Sequence, residues 1–223
     1  LWWVVAVTGL STFLGLLIAI LADRAHGENV AKSLIFMPMA ISMVGAAVIW
    51  RYVYYRNTRR EDIGLLNAIL TGTGILDEPI DFYTSASLIP WNNFFIMVIM
   101  IWIQTGFALI VFSAAIKAVP SDTLEAAHID GATALQTLWR VVIPQVAPTI
   151  IVVVTTLVVT VMKVFDLVKA TTNGRSRTDV LANTMYENLR DSNFTLSATF
   201  ALVIFVLVLP VMIYNVRQTA QEA

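Results

Sequence analysis

Long stretches without a charged residue constrain the fold of this chain more than any other feature. Five of them contain no Lys, Arg, Asp or Glu: residues 1–22, 33–50, 82–116, 141–162 and 192–216. An α-helix needs roughly 20 apolar residues to cross the hydrocarbon core of a bilayer. Because lipid offers no hydrogen-bond partner to free backbone groups, each stretch is expected to be helical. The pattern predicts an all-α, polytopic membrane protein.

The stretches predict five membrane-spanning helices, at about 1–22, 33–54, 91–115, 141–164 and 197–216. The second stretch is short, so its helix is extended through Arg51, whose long side chain can reach the headgroups. The first span is not a signal peptide, since no basic region precedes it. The chain begins at Leu1 rather than Met, so we expect that an upstream segment is missing. Residues 1–223 are interpreted as one transmembrane domain.

The composition excludes several classes of protein. Charged residues make up 13% of the chain and hydrophobic residues 58%, which argues against a soluble enzyme or a disordered tail. The net charge of -1 offers no basic surface to a nucleic acid. Cysteine is absent, and the two histidines, His26 and His128, lie far apart in the sequence, so we expect no metal site. The sequence also lacks the phosphate-binding loop of ATPases and the common hydrolase motifs.

Residues 117–140 are polar yet patterned as helix. Pro120 should end the preceding helix, and Ser121 or Asp122 should cap the next one. With Asp122 at the cap, Glu125 occupies the third helical position, as in a capping box. Gly131 is placed where a short helix can end and the chain can turn.

A second short helix is predicted to run from this turn to Ile143. Its apolar residues recur at helical spacing: Leu135, Leu138 and Val142. Pro144 follows where the next span begins. The segment is therefore interpreted as a helix–turn–helix elbow at the membrane face.

The elbow resembles the "EAA" loop in the membrane subunit of bacterial ABC importers. The matching residues are Glu125-Ala126-Ala127, Asp130-Gly131-Ala132, Ile143-Pro144 and Pro148. The resemblance covers nearly the whole chain and is strongest to the carbohydrate branch, in particular to alpha-glucoside and maltose-type permeases. It implies the type I ABC importer fold, with one more helix before Leu1. It also implies that residues 117–143 form a cytoplasmic coupling loop.

The resemblance implies a transport subunit rather than an enzyme. In the family the coupling loop docks into a cleft of a cytoplasmic ATPase dimer, and here Glu125, Ala126, Ala127, Asp130, Gly131 and Ala132 would make that contact. The chain would bind no cofactor, because ATP and magnesium would bind to the ATPase. The other expected partners are a second permease subunit in a heterodimer, an extracytoplasmic solute-binding protein and membrane lipid. The expected location is the bacterial inner membrane.

The sugar path is predicted from polar and aromatic residues within the spans, which need a cavity or a partner. Positions 157, 160, 161 and 164 share one face of the predicted fourth helix. By resemblance to maltose-type permeases, the substrate cavity would be lined by Gln104, Phe107, Leu157, Thr160, Val161 and Val164. Threonine in a membrane helix also commonly bonds its own backbone, which is an alternative role for Thr160.

Two alternatives remain open from the sequence. A self-contained secondary transporter or channel would need inverted repeats or paired charges inside the membrane, and neither is apparent. The basic residues also give a topology that opposes the motif. Five lie in 23–32, 117–140 and the C-terminus, and nine lie on the other side, which would place 117–140 outside.

Overall fold

Helices make up nearly all of the regular structure. The computed structural model describes residues 2–23, 27–57, 62–84 and 91–222, and only the backbone of 218–222. His26, and four charged residues of the two polar turns (Arg24, Arg59, Arg60 and Glu61), lie outside the described residues. The helices are α1 Trp2–Ala22, α2 Glu28–Phe36, α3 Met43–Val53, α4 Leu65–Gly72, α5 Trp91–Lys117, α6 Ser121–Ile129, α7 Ala134–Thr137, α8 Ile143–Met162, α9 Asp166–Thr171, α10 Leu181–Arg190 and α11 Phe194–Glu222.

Two short strands accompany these helices in the region between the second and third predicted spans. β1 (Arg56–Asn57) pairs antiparallel with β2 (Asp62–Ile63), so that Arg56 lies opposite Ile63. Strands of two residues do not change the fold class. The predicted all-α membrane fold is confirmed.

Within the described ranges, four helical segments are long and apolar enough to cross a membrane. They are Trp2–Ala22, Trp91–Lys117, Ala134–Met162 and Phe194–Arg217. Glu28–Ala40 and Met43–Val53 meet the same requirement only when they are taken together. Four of the five predicted spans are therefore single helical segments, and the second is a broken pair.

The prediction of one continuous helix over 33–54 was wrong. After α2 the chain tightens into a 3-10 turn at Met37–Ala40, which contains Pro38. α3 then starts anew behind Ser42, whose Oγ accepts a hydrogen bond of 3.0 Å from the backbone N–H of Gly45. Proline removes a backbone donor and serine supplies an N-cap, so local chemistry interrupts the apolar run.

The fourth span also differs from its predicted bounds of 141–164. The helical segment begins at Ala134 in the elbow, passes through a π-helical stretch at Leu138–Val142, and ends at Met162. In the π-helical stretch the N–H of Ile143 donates to the carbonyl of Leu138, five residues earlier. Pro144 follows without a donor of its own, and a π-bulge accommodates such a gap in the hydrogen-bond ladder. The second helix of the elbow is thus continuous with the span.

The chain divides into two compact units, and the first contains Leu1–Ala40, Ile101–Val161 and Val211–Ala223. Its core is formed by six buried residues of α1, α5 and α8: Ala19, Ala108, Leu109, Phe112, Val153 and Leu157. α1 and α5 approach closely at Gly15, where an added Cβ would lie 2.4 Å from the Cβ of Ala108. Small residues at helix contacts are typical of membrane bundles.

The second unit contains Ile41–Met100 and Met162–Pro210. Its aromatic cluster is centred on Tyr54, whose ring packs on Phe82 and Phe95 and whose hydroxyl donates to the carbonyl of Phe95 at 3.2 Å. Burial raises the pKa of the neighbouring Tyr83 phenol, so that side chain stays neutral. Residues 165–196, between the fourth and fifth predicted spans, contain the helices α9 and α10.

Candidate functional site

The elbow is built from α6, a glycine turn and α7. α6 starts directly after Pro120, and no side chain caps its N-terminus. The predicted capping box of Asp122 and Glu125 was therefore wrong. Pro120 occupies the cap position, so α6 begins at Ser121, two residues earlier than a cap at Asp122 requires.

The turn after α6 has the predicted glycine geometry. Gly131 has a φ of 77°, a left-handed conformation that costs glycine little. Its N–H donates to the carbonyl of His128 at 3.1 Å, and the N–H of Ala132 donates to the carbonyl of Ala127 at 3.0 Å. These two bonds form a Schellman motif, which satisfies carbonyls at the end of the helix.

A capping box is present one helix later. The Oγ1 of Thr133 accepts from the N–H of Gln136 at 3.3 Å, and the side-chain carbonyl of Gln136 accepts from the N–H of Thr133 at 2.8 Å. The signal Thr-x-x-Gln directly after the glycine turn was readable from the sequence. This box fixes the direction in which the chain enters α7.

The six predicted docking residues are not equally accessible. Glu125, Ala126, Asp130 and Gly131 are exposed, Ala132 is half-buried, and Ala127 is buried. Within the described part of the chain, the carboxylates of Glu125 and Asp130 form no hydrogen bond or ion pair. Both charges are therefore free to meet a partner, whereas Ala127 packs against this chain.

Three large apolar side chains on the elbow are exposed to solvent and were not predicted as site residues. Ile129 is 86% exposed, Leu135 66% and Trp139 63%. From the sequence, Leu135 was predicted only as part of the apolar face of the second elbow helix. Val142, two turns further on, is buried, so the apolar face is only partly covered by this chain.

A charge cluster centred on the buried Lys32 lies where α1, α2 and α5 meet. Lys32 is only 9% exposed, and its Nζ donates to the carboxylates of Asp23 and Glu28 and to the Oγ of Ser113. Ser113 in turn donates to Asp23 at 2.9 Å, and Lys117 forms an ion pair with Glu28. The spacing of Glu28 and Lys32 suggests a helical ion pair, but nothing in the sequence links them to Ser113 on α5.

Most of the predicted sugar-path residues lie in one unit. On α5, Gln104 is buried and Phe107 is half-buried; on α8, Leu157 and Val161 are buried. Phe107 packs against the core cluster that contains Leu157, so these two are brought together. Thr160 donates to the carbonyl of Thr156 at 2.8 Å, which is the backbone role considered as an alternative.

Val164 lies outside the helix that carries Leu157, Thr160 and Val161. α8 ends at Met162, and Val164 lies beyond it in the other unit. The prediction that all four positions share one helical face was wrong for Val164. Asn92 and Asn93, polar residues at the start of α5, donate to the carbonyls of Ser176 and Arg177.

Similarity to known proteins identifies the family to which this chain belongs. The family of binding-protein-dependent transport system inner membrane components matches residues 11–221. The chain belongs to this family. The assignment made from the elbow motif is confirmed, as is the prediction of a multi-pass inner-membrane transport component rather than an enzyme.

Two curated relatives of this inner-membrane component cover almost its entire length. It is 50% identical to the alpha-glucoside transport system permease protein AglF of Rhizobium meliloti, over 99% of this chain and 65% of that protein. It is 48% identical to the osmoprotective compounds uptake permease protein GgtC of Synechocystis, over 99% of this chain and 78% of that protein. The chain thus spans about two thirds of AglF.

A solved structure shares the fold of this inner-membrane component. It is a chain of a bacterial alginate ABC transporter in complex with an alginate pentasaccharide-bound periplasmic protein. The TM-score is 0.80 at 21% identity, over 96% of this chain and 75% of that one. The predicted type I importer fold is confirmed.

Proposed function

We propose that this chain is the permease subunit of an ATP-driven importer and that its substrate is an alpha-glucoside such as maltose, trehalose or sucrose. The observation that carries the proposal is the 50% identity to an alpha-glucoside permease along 99% of the chain. A solute-binding protein would deliver the sugar from outside. A second permease subunit would complete the pathway as a heterodimer, and a cytoplasmic ATPase dimer would bind ATP and magnesium.

Residues 117–143 are proposed as the surface that docks on the ATPase. Their support is the exposed combination of Ile129, Leu135 and Trp139 on the elbow. Large apolar side chains left in solvent typically mark a surface that a partner covers. Aromatic anchors such as Trp139 are also enriched at the centres of protein interfaces.

The charge of the elbow favours a protein over the membrane surface as the partner. Residues 121–133 contain Asp122, Glu125 and Asp130 but no Lys or Arg. The cytoplasmic leaflet carries anionic lipids and attracts basic segments, so an acidic segment gains nothing from it. A cleft with basic residues would complement both the acids and the apolar side chains.

A secondary transporter is less well supported. Ion-coupled transporters use ionisable residues inside the membrane. Four of the five candidate spans contain no Asp, Glu, Lys or Arg in residues 2–22, 91–116, 141–162 and 194–216. The charges of the fifth, Glu28, Lys32 and Arg51, lie near its two ends. Coupling to a separate ATPase needs no such residue.

The second candidate substrate is an osmoprotective compound, because the chain is 48% identical to a permease for such compounds. Uptake of labelled maltose, trehalose, sucrose and glycine betaine, in cells with and without this gene, distinguishes a sugar substrate from a non-sugar osmoprotectant. We expect the deletion to abolish uptake of at least one of the three disaccharides and to leave glycine betaine unaffected. Loss of glycine betaine uptake alone would overturn the sugar assignment.

A further inference from the structure

We propose that the charge cluster of Asp23, Glu28, Lys32, Ser113 and Lys117, in which Lys32 and Ser113 are buried, positions α6 relative to α1. All five residues belong to the first unit. The expected effect of the cluster on transport rests on the proposed docking of the elbow on the ATPase. The positioning of α6 by the cluster does not depend on that docking.

Lys32 is the centre of the cluster. An ammonium group taken out of water is costly unless each of its donors finds an acceptor. Its Nζ has three acceptors: Asp23 after α1, Glu28 at the start of α2, and Ser113 on α5. One side chain therefore links three separate elements of the unit.

The cluster holds α5 at two points one helical turn apart. Ser113 contacts both Asp23 and Lys32, and Lys117 contacts Glu28. Lys117 is the last residue of α5, and α6 begins at Ser121. The end of α5 is thus linked to Asp23 and to the start of α2 immediately before the elbow starts.

α6 packs mainly on α7 and on the π-helical stretch, and it has few contacts with α1 or α5 to hold it. Its one buried residue is Ala127. Between α6 and the rest of the unit lies a cavity of about 300 Å³, lined by Leu124 and His128 of α6, by Ile20 and Asp23, and by Ile116 of α5. Because this cavity separates α6 from α1 and α5, the position of α6 depends on the segments that connect it to its neighbours in the chain. The cluster holds the end of α5, which is one of these connections.

Two cations and two carboxylates make the cluster neutral overall. Replacing buried ion pairs by apolar residues is often neutral or stabilising, so stability alone is a weak reason to bury them. Fixing the register of neighbouring elements is the best-supported use of such groups. The cluster fits that use, because it lies directly before the elbow.

Spin labels can measure this positioning in the assembled complex without nucleotide. The chain has no cysteine, so Val5→Cys and Thr123→Cys place labels on α1 and α6 alone within it. Both positions are exposed, and about 25 Å of helix separates Val5 from the end of α1. We expect a narrow distance distribution in the wild-type background.

Four variants in that labelled background test the cluster. Ser113→Ala and Lys32→Gln should broaden the distribution, and Lys32→Arg, which retains the charge, should restore most of its narrow width. Lys163→Gln removes an exposed lysine outside the cluster and should change nothing. If Lys32→Gln does not assemble, Ser113→Ala still tests the claim, because it removes no charge. Unchanged distributions in Ser113→Ala and in any assembled Lys32→Gln would overturn the inference.

The transport readout is the ratio of sugar taken up to ATP hydrolysed in proteoliposomes. Variants in coupling networks change such ratios by roughly two- to thirtyfold, and we expect a fall in that range for Lys32→Gln. A merely structural role would lower uptake and hydrolysis in proportion and leave the ratio unchanged. Failure of the elbow to dock is a separate outcome: Glu125→Lys would then leave binding-protein-stimulated ATP hydrolysis unchanged while the label distances still respond to Ser113→Ala.

Discussion

At the scale of the residue, the contact between α1 and α5 depends on the missing side chain of Gly15. An added Cβ would lie 2.4 Å from the Cβ of Ala108 and 3.0 Å from the backbone N of Leu109. Gly9, on the same helix, has no neighbouring atom within 4 Å of such a Cβ. The two glycines therefore differ in packing while they share a helix.

This difference predicts opposite results for the same substitution. Gly15→Ala should destabilise the protein by about 1–3 kcal/mol, the usual cost of overpacking. Gly9→Ala should be neutral or slightly stabilising, because alanine favours helix. Thermal unfolding of the detergent-solubilised protein measures both. Equal melting temperatures for the two variants would contradict the close approach of the helices.

Substitution of Glu125 tests whether the elbow docks on the ATPase. Its carboxylate is exposed, so charge reversal should not prevent folding. Glu125→Lys should leave the protein in the membrane but lower binding-protein-stimulated ATP hydrolysis roughly tenfold, because it places like charges together at the interface. Asp122→Lys makes the same change of charge one turn earlier on α6 and should have a smaller effect. Undiminished stimulation in Glu125→Lys would count against this residue as a contact.

At the scale of the element, the direction of α7 is set by the Thr133 capping box. Thr133→Ala should weaken the start of α7 by about 1 kcal/mol, which corresponds to roughly fivefold faster amide exchange in residues 134–142. Ser121→Ala is the matched control, since Ser121 makes no capping bond to the backbone of α6. A larger effect from Ser121→Ala would restore the cap predicted from the sequence.

The elements differ in how far the sequence predicts them. Charge-free runs of about 20 residues can form little else than spanning helices, so four spans were predictable. The break near Pro38 and Ser42 and the box of Thr133 and Gln136 are local signals, which a closer examination of caps and prolines would have found. The cluster around Lys32 was not predictable, because Ser113 is 81 residues away and only folding brings them together.

At the scale of the whole molecule, the family follows from the spacing of the elbow motif between two spans, and a match over residues 11–221 confirms it. The sugar path is less accessible to sequence reasoning. Leu157 and Val161 are buried, Thr160 bonds its own helix, and Val164 lies beyond α8. In the proposed importer, which of these residues a sugar contacts would depend on how the spans of this chain and of a second permease subunit assemble, and one chain does not encode that alone.

The sidedness of residues 117–143 is the central claim, and the count of basic residues opposes it. Labelling of a single cysteine tests it directly, because the chain has none of its own. His128→Cys on α6 and Arg175→Cys between α9 and α10 are exposed positions for a membrane-impermeant reagent. We predict that Cys at 128 reacts only in inverted vesicles and Cys at 175 only in intact cells. Labelling at 128 from the outside of intact cells would contradict the coupling function of the elbow.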